Sequence, residues 1–311
     1  MPTTLLGTPM QRAHTPTLVL RGVRQVFSDR YKVYDKGTIE EIFNMETPGA
    51  VSAETDVLTS EMGQALPTSE NASPWYDSMQ EVLSKTVTFV KYTLAAEITE
   101  EAVEDNMYQK LISRIGDALA RAQAYNRQVR AWSFFNDLTE TIYAWGGTNY
   151  QLLETAHPLL NGSTWANQPT VATTLSRESL VERLQAWTTE MVTLRGLKMD
   201  TQPRVLMFSA VDQDIAYRIL NATKIPQSAD NDPNWIGTQG LRGFMNPHLT
   251  TDNRWFLLGS KEDHLLTFFD RIKASVKDVP GDDTGNIRMR SRARFEKRCL
   301  YPFNIAGSPG T

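Results

Sequence analysis

The chain has 311 residues, 41% of them hydrophobic, and its 36 acidic and 32 basic side chains give a net charge of −4. That is enough apolar material for one large core or two modest ones, and the near balance of charge excludes the chain-wide positive field on which non-specific polyanion binding leans. A single cysteine, Cys299, excludes an internal disulfide and a cysteine-built zinc cluster and fits a reducing, cytoplasmic setting; Met1 to Gln11 lack the pattern of a secretion signal, and no run approaches the roughly 20 apolar residues of a membrane span.

Residues 1–46 mix Pro, Thr, Gly and both charges without a sustained period, which predicts an arm lying on another surface. Arg12, Arg21, Arg24 and Arg30 against Asp29 make its first part mildly basic, so a neighbouring subunit or packaged contents are its natural partners. From Thr47 to Ser84 the chain carries Pro48, Gly49, Gly63, Pro67 and Pro74 among Ser, Thr and Glu, with an isolated Trp75-Tyr76 pair. A polar excursion of this length inside a compact chain is functional or disordered. It runs into Thr86 to Ile98, where Val90, Tyr92, Leu94, Ala96 and Ile98 alternate with Lys91, Thr93 and Glu97, predicting a strand with one buried face and an extended, hairpin-like loop before it.

Val103, Met107, Leu111, Ile115, Ala118, Ala122, Tyr125, Val129 and Trp132 recur at steps of three and four and predict an amphipathic helix over 99–136. Thr99 suits the N-cap, Glu100 and Glu101 suit the positive end of the dipole, and the helix would be about 55 Å long. A loop-rich stretch follows Gly146-Gly147. Ser176 then caps a second helix with a face of Leu180, Leu184, Trp187, Met191 and Leu194, closing near Gly196. Val205 to Phe208 and Trp255 to Leu258 read as buried strands, with a short helix marked by Ile215, Ile219 and Leu220 between them, so a separate α/β lobe is expected over 171–275. Last comes a strand in which Ile287, Met289, Ser291, Ala293 and Phe295 alternate with Arg288, Arg290, Arg292 and Arg294.

Chemistry is sparse by comparison. His14, His157, His248 and His264 stand apart with no spacing that would put two ligands on one helical face, and read as loop or turn residues. No phosphate-cradling glycine loop or Gly-x-Ser-x-Gly elbow is present, and Gly237, Gly240 and Gly243 lack the dinucleotide-binding spacing. The carboxylates Glu100, Glu101, Glu104 and Asp105 are explained by a helix start. No catalytic, metal-binding or cofactor-binding residue is expected, which counts against a two-lobed enzyme.

The order of these elements resembles the major capsid proteins of tailed bacteriophages, which share the Hong Kong 97-type fold, and among them the Mu-like head subunits. Its carriers are Ala96 to Asn106 entering a long helix, Ala118 to Asn136, Thr155 to Leu159 with Gly162, Leu175-Ser176, and Pro247 to Thr250 followed by Trp255 to Leu257. The resemblance implies an α+β fold with an N-terminal arm (1–46), an extended loop (47–95), a peripheral domain (96–170 and 276–311) built on a spine helix, and an axial domain (171–275). It implies self-assembly into pentamers and hexamers of an icosahedral head that encloses double-stranded DNA, assembled in the host cytoplasm and carried in the virion. Scaffolding, portal and decoration proteins are the implied partners, and no membrane. The alternative is an encapsulin-like nanocompartment shell. Some members cross-link an extended-loop lysine; here Thr47 to Ser84 holds none and Lys85 sits at the return. Trp75 and Tyr76 are expected to anchor in a neighbour, and the four arginines to face either packaged DNA or a neighbour's carboxylates, the latter preferred. Arg12, Arg21 and Arg24 would face DNA.

Overall fold

The computed structural model describes residues 15–49, 51–99, 101, 108–224, 233–279 and 286–310. In chain order, α1 (Thr15–Tyr34) and α2 (Thr38–Ile42) precede β1 (Asn44–Glu46), β2 (Ala53–Thr59), β3 (Glu81–Thr88) and β4 (Val90–Ile98). The long helix α3 (Tyr108–Asn136) leads to two small hairpins, β5 (Tyr143–Trp145) with β6 (Thr148–Tyr150) and β7 (His157–Pro158) with β8 (Thr164–Trp165). Then come α4 (Arg177–Glu190), β9 (Val205–Phe208), α5 (Gln213–Asn221), β10 (Arg242–Met245), β11 (Trp255–Leu258), β12 (Leu266–Asp278), β13 (Ile287–Cys299) and β14 (Ile305–Ser308).

Two four-stranded sheets organise these elements, in the orders β1-β12-β13-β4 and β10-β9-β11-β14. In the first, β13 is central, antiparallel to both β12 and β4, and α1 and α3 cover one face only. In the second, β9 and β11 carry the fully apolar runs Val205 to Phe208 and Trp255 to Leu258, as expected of central strands. Ser176 caps α4 as its sequence predicts, with Ser179 completing a reciprocal capping box, and Leu180, Leu184 and Trp187 are buried. Gly146 and Gly147, both at positive φ (57° and 85°), form the two-residue turn joining β5 to β6, just before the stretch expected to be loop-rich.

Several expectations are corrected. The stretch 1–46 is not without period: α1 buries Val19, Leu20, Val23 and Phe27 against α3 of its own subunit, and Pro16 is tolerated because it lies in the first helical turn. Thr86 to Ile98 is two strands, because Phe89 turns into a pocket with Val87 and Phe269 and switches the buried phase; β3 pairs with β2, whereas β4 joins the first sheet. The expected boundary at 275 falls inside β12, which pairs with β13, while β14 crosses back into the second sheet. Two register shifts in β12, around Asp270 and between Ile272 and Ser275, had broken the period of two that would have revealed it.

The long helix also turns a different face to the core. Leu119, Ala120, Gln123, Ala124, Arg127, Gln128, Ala131, Trp132 and Phe135 are buried, whereas Tyr125 is 63% exposed and Val129 36%. Small residues set this phase. A Cβ on Gly116 would lie 2.9 Å from Val26 Cγ1 and 3.2 Å from the Val23 carbonyl of α1, so the helices meet backbone to backbone and Ala120 and Ala124 continue the seam. Residues 102–107 and the side chain of Leu111, expected mid-stripe, lie outside the described residues.

Within this seam Arg127 is buried between two elements. Its guanidinium donates to Asp35 at 2.7 and 2.9 Å, just beyond α1, and to Asp270 of β12 at 2.6 Å, with its plane over Phe268 at 5.2 Å. Burial opposes the charge, but the two carboxylates outweigh it and hold Arg127 above its ordinary value. Removing one partner of such a cluster strands the others, so Arg127→Ala should lower unfolding free energy by about 3–5 kcal/mol in urea titration. Leu119→Ala should cost about 2–5 kcal/mol and Tyr125→Ala no more than about 0.5 kcal/mol in the same assay; the reverse order would restore the predicted stripe.

Candidate assembly surface

Once the core is closed, two features face outward: the tip of the β2–β3 hairpin and the bare face of the first sheet. The hairpin is antiparallel from Ala53 opposite Thr88 to Leu58 opposite Leu83, with an irregularity at Thr59. Its base is tied to the body by an ion pair from Arg298 to Asp56 at 2.8 Å and by Lys85, whose ammonium donates to the Ile142 carbonyl. Burial lowers the Lys85 pKa.

Beyond Ser60 the chain forms no strand until Glu81, yet it is shaped. Asp77 accepts from the backbone N–H groups of Gly63 at 2.7 Å and Ser78 at 2.8 Å and from Arg195, which also donates to the Ser78 carbonyl at 2.7 Å. These bonds, the Gly63 N–H foremost, hold the Asp77 carboxyl down at about 2. The clasp closes the tip into a loop on which Trp75 is 71% exposed and Tyr76 90%, with Met62, Leu66 and Met79 exposed near them. The predicted pair is thus displayed on an ordered tip; Asp77 and Arg195 were not foreseen, since they lie 118 residues apart.

Arg288, Arg290, Arg292 and Arg294 alternate along β13 as predicted, half-buried on the face away from the helices, while Ile287, Met289, Ser291, Ala293 and Phe295 are buried beneath. Arg288 pairs with Glu97 of β4 at 3.1 Å and Arg294 donates to the Phe89 carbonyl at 2.9 Å. Arg290 and Arg292 make no hydrogen bond or ion pair with any described residue, and among the described residues the buried Nε atoms of Arg290, Arg292 and Arg294 have no partner. Register sets Lys277 opposite Arg290 and Lys91 opposite Arg294, so like charges face each other across strands. Burial, then Arg271 and Arg292, lower the Arg294 pKa. The sequence showed the arginines and Lys91, but not Lys277 or Arg271, because β12 was hidden.

Of the other expected contacts, Arg21 is exposed on α1, Arg24 is exposed but donates from Nε to the Val276 carbonyl at 3.1 Å, and Arg12 lies outside the described residues. Two histidines expected in loops or turns are buried: His157 lies in β7, and His264 in the turn before β12, as expected. His157 is enclosed by Tyr143, whose hydroxyl is 2.8 Å from Nδ1, and by Trp165 and Tyr301; His264 is likewise buried. Around His157, Tyr143 and Trp165 come from the two neighbouring hairpins and Tyr301 from the far end of the chain. No group of three or more His, Cys, Asp or Glu able to hold a metal occurs among the described residues, and no helix there is long and apolar enough to cross a membrane.

Burial pushes both His157 and His264 down to about 4. The unfolded chain therefore takes up protons below about 6.5 that the folded one refuses until about 4, and stability falls as pH drops through that window. His157→Gln should remove its share of this slope, up to about 3 kcal/mol between pH 7 and 4, in urea titrations at both pH values; an unchanged slope would show that His157 does not carry it.

Residues 81–296 match a family model described as phage capsid protein. No curated protein sequence matches the chain. Among solved structures, the mature capsid of bacteriophage PhiM1 aligns over 86% of this chain and 85% of its own, with TM-score 0.56 and 9% identity. The capsid of Myoviridae phage XM1 aligns over 89% and 90%, with TM-score 0.53 and 12% identity. A virus-like particle from Pyrococcus furiosus aligns over 93% and 98%, with TM-score 0.52 and 7% identity. At such identities the likeness is one of fold.

Proposed function

This chain belongs to the phage capsid protein family, and from that premise we propose that it is the tile of an icosahedral head, assembling as pentamers and hexamers around double-stranded DNA. The observation that carries this reading is the family match, which runs from β3 through the long helix and β9, β10 and β11 into β13. The hairpin and its tip then act as the extended loop that reaches another subunit, α3 as the spine, and the second sheet with α4 and α5 as the axial lobe. A scaffolding protein, a portal and a decoration protein are the partners such a head takes, and the exposed Arg21 supports a DNA-facing role for α1.

One rival is kept, an encapsulin-like nanocompartment shell that encloses cargo protein; the virus-like particle shares the fold, but the family match supports this rival less than the head. Particles purified from the chain's native setting distinguish the two: nuclease-protected double-stranded DNA supports the head, and a stoichiometric protein cargo without DNA supports the rival. For the loop, Trp75 and Tyr76 have the size and exposure of interface anchors. Trp75→Ala should cut shell yield in negative-stain images while leaving the thermal midpoint of the free subunit within about 2 °C, as expected of a surface change. An equal loss of subunit stability would make Trp75 a folding residue instead.

A further inference from the structure

Beyond its last strand pair the hairpin is continued by two rungs. In the first, the Ser60 N–H donates to the Gln80 carbonyl at 2.7 Å and the Gln80 N–H to the Ser60 hydroxyl at 3.0 Å. In the second, Asp77 receives the Gly63 N–H; a Cβ on Gly63 would stand 3.2 Å from Asp77 Oδ2 and 3.3 Å from Arg195 Nη1, so a side chain there would press on both partners. The group that grips this rung from the body is held as firmly. Arg195 stands on a turn after α4, closed by the Thr193 N–H on the Leu197 carbonyl at 2.8 Å and the Gly196 N–H on the Thr193 carbonyl at 2.9 Å. The turn is braced from behind: Leu194 is buried and its carbonyl takes the Leu160 N–H at 2.9 Å, while Gly196, at φ 82°, packs where a Cβ would lie 2.5 Å from Asn161 Nδ2. From this fixed base one guanidinium reaches two acceptors of the tip, the Asp77 carboxylate and the Ser78 carbonyl.

We propose that Arg195 is the positioning residue of the assembly loop: through Asp77 and Ser78 it fixes the pose of the tip on its own subunit before assembly, so that Trp75 and Tyr76 are presented in one orientation. The assignment rests on the loop contact proposed above and adds the residue that aims it. A contact serving only to restrain the loop would cover its anchors, but Trp75 and Tyr76, next to Asp77 in the chain, stay exposed with the clasp closed. A role in folding is also a poor fit, because Asp77 and Arg195 are both partly exposed and such pairs add little to stability. Ordering a tip in advance acts on association instead, since a loop that orders only on contact subtracts its lost freedom from every joint it makes. The planar fork of arginine suits the task, because two donors set both the position and the direction of what they hold. Asp77 keeps its charge down to about 2, so salt, and not ordinary acidity, is what loosens the clasp.

Arg195→Gln and Asp77→Asn, each made in the full chain, test the assignment. In the free subunit the amides of the tip should exchange with solvent faster than in wild type, while the thermal midpoint stays within about 2 °C. The subunit concentration at which shells form, followed by sedimentation and negative-stain counting, should rise about threefold or more. Raising the salt from about 0.1 to about 0.5 M should narrow that gap by loosening the wild-type clasp. Arg195→Lys, which keeps the charge and loses the fork, should fall between. Variants with a deprotected tip that assemble at the wild-type concentration overturn the assignment, as do variants whose tip stays protected or whose thermal midpoint falls along with assembly. Assembly at a lower concentration than wild type makes the clasp a restraint and overturns it too. Trp75→Ala keeps this apart from the loop contact: if it blocks shells and Arg195→Gln does not, the aiming role falls while the contact stands, and if neither change has an effect the contact itself falls.

Discussion

The arrangement turns on one buried cation. Arg127 lies in the middle of α3 with Asp35 on one side and Asp270 on the other, so the connection after α1, the long helix and β12 are joined at a single charge out of water. A buried ion cluster adds little net stability compared with apolar packing, but it tolerates only one alignment of its members. Here that alignment fixes the slide of α1 along α3 and the seating of both on the sheet. The close approach at Gly116 works in the same direction, since the seam of Gly116, Ala120 and Ala124 excludes larger side chains between the helices.

With both helices on one face, β13 is left with its arginines on the other. A central strand with apolar and ionic sides is a poor solution for an isolated protein, because it concentrates like charge where strands stand 4.7–4.9 Å apart. It is a good solution for a subunit whose other face is completed by its surroundings. The displayed aromatics follow the same logic: Trp75 and Tyr76 are held out by the Asp77–Arg195 clasp rather than folded in, so the ordering entropy of the tip is met within the chain itself.

How much of this could be seen in the sequence depends on where a pattern stays local. The arginine strand, the buried runs at 205–208 and 255–258, the capped helix at 177–190 and the exposed hairpin all announce themselves by period or composition. The rotated face of α3 did not, because its buried side contains Gln123, Arg127 and Gln128, whose partners Ser291, Asp270 and Thr38 are supplied by other elements. Hydrophobic period alone therefore favoured the wrong stripe, with Tyr125 standing in for Ala124. The strand β12 was masked by its irregularities, and α1 by arginines interleaved with its apolar positions. The clasp at Asp77 joins residues too distant in sequence for any pattern to link.

The crossing of the two sheets has a mechanical consequence. β12 leaves the second lobe to pair with β13, and β14 returns to pair with β11, so the chain laces the lobes together twice, and Trp132, Phe135, Phe256, Phe268 and Phe295 form one continuous apolar cluster across them. A body stitched in this way has no natural crease between its halves. Wherever a closed surface demands different dihedral angles between otherwise identical tiles, the bending must be absorbed at the joints between tiles and in the slender hairpin, leaving the tile itself stiff.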